Sequence, residues 1–142
     1  KEGTFAIRVP EAIKGDKTGT MINAEGLKQG ALWGKASDWV DNSGTIDGKS
    51  VGVAIFDSPA NPRHPTTWHA RTYGLFAVNP FGLHDFDASK KNDKTAGQLI
   101  TPKGKSVTFA YRVYFHQGDA TQANVATVAK TYAKPPKVTL VP

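Results

Sequence analysis

Two of the four histidines in this 142-residue chain, His64 and His69, fall in one stretch, 57–71, with Asp57, Asn61, Arg63, Trp68, Arg71 and three prolines. Imidazole exchanges protons near neutral pH, and arginine presents a fixed fork of donors. The set therefore suits acid–base chemistry on a polar ligand, or its binding. Pro59, Pro62 and Pro65 recur every third residue, the period of polyproline II, which predicts a stiff extended loop with Asn61, His64 and Thr67 along one edge. If the chain then extends, His69 and Arg71 share a face opposite Trp68, whose indole could stack on a sugar ring. A later strand adds His116, with Arg112 and Tyr114 on the same face. The expected catalytic residues are His64, His69 and His116. The expected substrate-binding residues are Asn61, Arg63, Trp68, Arg71, Arg112 and Tyr114.

Other chemistries compete for the same residues. Asp57, His64 and His69 have the composition of a mononuclear iron triad, although the His64–His69 spacing matches no common metal motif, and no metal ligand is assigned. A serine nucleophile has no G-x-S-x-G setting, and Ser58 before Pro59 has no special claim. No Walker motif, dinucleotide fingerprint or EF-hand loop occurs, so no cofactor is named. In the structural reading, Arg63 and Arg71 pin the loop to carbonyls or to Asp57, and backbone satisfies the histidines. Trp33 and Trp39 read as packing residues, and His84 as an exposed turn residue.

The elements that must position these groups are mostly strands. Phe5, Ile7 and Val9 alternate with Thr4, Ala6 and Arg8, a half-buried strand ended by Pro10. Residues 14–30 read as a long loop with a short strand near Thr20–Ala24. Asp47-Gly48 between two strand-like runs predicts a two-residue hairpin. Its second arm, Val51–Phe56, is apolar on both faces and must be covered on both. A strand over Tyr73–Asn79 follows, then an exposed excursion over 84–104 with a short strand at Gln98–Thr101. Ser106–His116 reads as one long strand. Asp119-Ala-Thr-Gln122 forms a capping box, and Val125, Val128, Ala129 and Tyr132 make the apolar stripe of one helix, ended by Pro135-Pro136. Lys137–Val141 reads as a last strand or tail. The expectation is one all-β domain over 1–142, an antiparallel sandwich with a C-terminal amphipathic helix.

Charge and composition limit the partners. The formal charge is +6, but Lys and Arg are scattered and no basic patch interleaves with aromatics, so nucleic acid is not an expected partner. No apolar run approaches the ~18 residues of a membrane span, so neither is a membrane. The absence of cysteine removes disulfides and thiolate sites together.

The chain resembles the PmoA-like family of uncharacterised bacterial proteins. The likeness rests on Trp39–Lys49, Val51–Asp57, Asn61-Pro-Arg-His-Pro65, Trp68-His69, Gly74–Ala77, Asn79-Pro-Phe-Gly82, Phe109–Val113, His116 and Gly118-Asp119. It implies that this chain is similar to the C-terminal half of longer proteins, with an N-terminal half as partner; a homo-oligomer goes with the assembly reading below. It also implies a mutarotase-like sandwich and a sugar or glycan ligand, by analogy of fold. The expected function is binding or transforming a sugar at a polar sheet face. A non-catalytic assembly module is the alternative, and a metal-dependent oxygenase the third reading. An extracytoplasmic location, periplasmic or secreted, goes with the first.

Overall fold

The computed structural model describes residues 3–134. Seven strands form two antiparallel sheets: β1 (Phe5–Arg8), β2 (Thr20–Asn23), β3 (Trp39–Ile46), β4 (Lys49–Asp57), β5 (Trp68–Arg71), β6 (Leu75–Val78) and β7 (Tyr111–Gln117). One sheet has the order β1-β6-β5 and the other β2-β3-β4-β7. A single-turn helix, α1 (Leu83–Phe86), follows the first sheet, and α2 (Val125–Ala133) closes the described chain. The fold is an all-β sandwich with one C-terminal helix of more than a turn.

Alternation decides what lies between the sheets. Val40, Val53 and Ile55 of the larger sheet meet Trp68, Ala70, Phe76 and Val78 of the smaller one, with Met21 and Leu32 filling the rim. On its outer face the larger sheet presents Trp39, Ala54 and Phe56, which α2 covers with Val125 and Ala129. The apolar second arm of the hairpin is thus covered on both sides, one face by a sheet and the other by a helix. Asp47 and Gly48 both take positive φ, +50° and +75°, as a two-residue turn between twisted strands requires.

Three local expectations differ from the structure. β7 begins at Tyr111, not Ser106, because its neighbour β4 ends at Asp57 and leaves 106–110 no ladder to join. Gln98–Thr101 forms no strand; the excursion runs through turns and a 3-10 turn at Ala88–Lys90. The capping box forms, with Gln122 N donating to Asp119 Oδ1 and Asp119 N to Gln122 Oε1, at 2.8 and 2.9 Å. It caps a separate turn, and α2 starts at Val125 after Asn124 in a left-handed conformation. The strand expected at Lys137–Val141 and the stop at Pro135-Pro136 lie outside the described residues.

Candidate functional site

The loop after β4 is built from turns. Asn61 N donates to Ser58 O, His64 N donates to Asn61 O, Arg63 has φ +66°, and the His64–Pro65 peptide is cis. Polyproline II has no internal hydrogen bonds, so the expected extended loop does not form. Asp57 organises the loop instead. Its side chain is fully buried, and Oδ1 accepts from Asn61 Nδ2 at 2.7 Å while Oδ2 accepts from Thr66 N at 3.1 Å. His64 Nδ1 lies 2.9 Å from the same Oδ2. On the other edge of the ring, His64 Nε2 lies 3.4 Å from Asp38 Oδ1. Asp38 is itself tied in, its carbonyl accepting from Asp57 N at 2.8 Å.

Asn61 and Arg63 hold this arrangement through bonds to backbone. The Asn61 amide donates to Ala110 O and accepts from Ala110 N, both at 2.7 Å, in place of the ladder partner that β4 no longer supplies. The Arg63 guanidinium donates to the carbonyls of Pro80, Gly97 and Gln98 at 2.6, 2.7 and 2.8 Å. One side chain satisfies two buried carbonyls and the exposed one of Gln98, so the polar groups of these two residues, expected to bind substrate, are spent on backbone.

His64 opens onto a cavity of about 270 Å³ between the loop and α2. Trp39 and Phe56 line its floor. Asp38, Asp57 and His64 stand on one wall, and Ala126, Ala129, Lys130 and Ala133 of α2 on the other. The alanines leave space where larger residues would close the gap. Asp57 orients the ring through Nδ1, and Nε2 faces the Asp38 carboxylate at the cavity.

The remaining expected residues lie elsewhere. Trp68 is wholly buried between the sheets, its Nε1 donating to Ser37 O at 2.9 Å, so it is a core residue and no stacking platform. His69 and Arg71 do share a face, on the outside of the smaller sheet. There Arg71 Nε donates to His69 Nε2 at 3.4 Å, and its guanidinium lies 5.0 Å from the Trp33 ring centre. Arg112 lies over Tyr132 at 4.7 Å, and Tyr114 OH donates to Ala123 O at 3.3 Å, both beneath or beside α2.

His116 crosses β4 above Gly52, to which it is paired in register, and its Nε2 lies 2.6 Å from Asp41 Oδ2. The two side chains are 1% and 0% exposed. Burial pushes the Asp41 carboxyl above its usual range, while His116 and Ser43 pull it the other way. Gly52 and Asp57 are five residues apart on β4, about 17 Å. The three histidines therefore do not converge. Asp57 and His64 meet, but His69 belongs to the other sheet, and among the described residues no group of three or more His, Asp or Glu is placed to hold a metal ion. Asp38, Asp41 and Lys130 escaped the sequence reading. The only available signal was an acid inside the buried-type run Trp39-Val-Asp-Asn-Ser43.

A family model described as a family of unknown function, DUF6807, matches residues 1–130. No curated protein and no solved structure matches. No helix among the described residues is long and apolar enough to cross a membrane.

Proposed function

We propose, for a chain that belongs to the DUF6807 family of unknown function, that the cavity at His64 binds and transforms a small hydroxylated ligand of the sugar class. The observation that carries this reading is the His64–Asp57 pair opening onto a cavity floored by Trp39 and Phe56. With Nδ1–H donated to Asp57, His64 Nε2 accepts a proton from a ligand hydroxyl and can return it to a leaving or ring oxygen. Asp38 accepts a second hydroxyl, and the buried Trp39 and Phe56 close the cavity floor against water. The likeness to PmoA-like proteins and mutarotase-like sandwiches belongs to this proposal, as does an extracytoplasmic location.

The test is a panel of mono- and oligosaccharides followed by NMR for both binding and bond or anomer exchange. His64→Asn is expected to keep the fold and most of the binding while losing turnover by roughly 10²–10⁴-fold, the usual weight of a general acid–base. Unchanged turnover in that variant, or no sugar that perturbs the His64 ring, rejects the reading.

A second reading, an assembly module, is favoured by one observation. Phe115 on the edge strand β7 is 76% exposed, beside an apolar hollow of about 360 Å³ lined by Ile7, Val9, Ile13, Val51 and Val53. Light scattering that finds a stable oligomer, broken by Phe115→Ser with no loss of fold, would support it.

A further inference from the structure

We propose that the ligand of the His64 cavity is an oligosaccharide, whose distal rings lie in a second, hydroxyl-lined hollow on the same sheet face. This inference rests on the sugar reading above and extends it to ligand length.

The second hollow, of about 250 Å³, opens between the start of β2, the ends of β3 and β4 nearest their hairpin, and the turn before α2. Thr20, Ser43, Thr45, Ser50 and Thr121 line it, with Lys28 and Asp119 at its margin. Ser43 is buried, two residues along β3 from the Asp41 carboxylate that His116 holds. Thr20, Thr45, Ser50 and Thr121 are exposed residues, with hydroxyls open to solvent. Each can donate once and accept twice, which matches the mixed donor–acceptor character of sugar hydroxyls and needs no charge on the ligand.

The two hollows are aligned. Along the second strand, Thr20 and Ile22 line the distal hollow and Ala24, two residues on, lines the His64 cavity. Along β3, Ser43 lines the distal hollow and Trp39 the His64 cavity, four residues or about 13 Å apart. Half-buried Ile22 lines the distal hollow and packs against the cluster that seats the helix. A single ring fills one hollow. A ligand reaching both must be extended, with neutral hydroxyls at the far end and its reacting group at His64.

The experiment compares linear, neutral gluco-, manno-, galacto- and xylo-oligosaccharides of one to four rings, titrated into the full chain and followed by amide and imidazole NMR shifts. Thr20, Thr45 and Thr121 are replaced together by valine, which removes hydroxyls while keeping shape and strand preference. The inference expects affinity to rise with ring number and shifts to appear at both hollows. It also expects the triple variant to lose about tenfold or more in affinity for the longer sugars, with monosaccharide binding at His64 unchanged. Sugars that shift His64 but bind no tighter with length, or as tightly to the triple variant, overturn the inference and leave the sugar reading standing. A series in which no sugar shifts His64 overturns both.

Discussion

Asp41 sits where a carboxylate is least at ease, fully buried beneath His116 on the outer face of the larger sheet. Its raised pKa has a consequence of definite sign. An aspartate in the unfolded chain titrates near pH ~3.9, and burial moves the folded value above that. Between the two values the folded protein keeps a proton that the unfolded chain has released. The stability this confers is complete below the window and is lost as pH rises through the folded pKa. Asp41→Asn has no such proton, so its melting temperature should lack this component of the fall. Subtracting the two melting curves across the acid range measures it, and a flat difference would refute the assignment. At this scale the sequence was partly legible. His64 and Asp57 stood out because polar groups crowded among prolines are unusual, and their pairing needs only the short loop between them. Asp38 and Lys130 reach the cavity through strand pairing and helix docking, which no local pattern announces.

The strands were legible wherever their own alternation sufficed. Phe5 to Arg8 and the Asp47-Gly48 hairpin required nothing from distant chain. The stretch from Ser106 did require it. Its pattern is a good strand's, but strand status depends on a partner, and β4 stops opposite Tyr111. The proline rhythm misled for a similar reason: Asp57 accepts from Asn61 and Thr66 and folds the loop back on itself. Gly52 shows how one absent side chain joins elements. A Cβ there would fall on His116 Cε1 and within 2.9 Å of Ser43 Cβ, so Gly52→Ala must push the imidazole off Asp41 or push β7 away from β4. Overpacking of this kind costs about 1–3 kcal/mol. Chemical denaturation should register that loss, together with a changed His116 ring shift. A variant as stable as the parent would show that the ring has another place to go.

For the molecule as a whole, the sandwich with one C-terminal helix could be read from strand content and a single amphipathic stripe. The division of strands between sheets could not, because β1 pairs with β6 across nearly the length of the smaller sheet's sequence. The two sheets and α2 hold the cores, whereas residues 87–105 carry Lys90, Lys91, Lys94, Lys103 and Lys105 on turns with little burial. Brief trypsin treatment should make its first internal cuts there and leave the nicked protein folded, as seen by mass spectrometry and circular dichroism. First cuts within β3 or β4 would contradict this picture of where stability resides.

Arg63 ties the excursion to the loop after β4, through the carbonyls of Pro80, Gly97 and Gln98. Gathering carbonyl oxygens from separate segments is a task that many extracellular loops assign to calcium. Here the cation is part of the polypeptide. It cannot be chelated, exchanged or diluted away, so this attachment survives a chelator that would strip a bound cation.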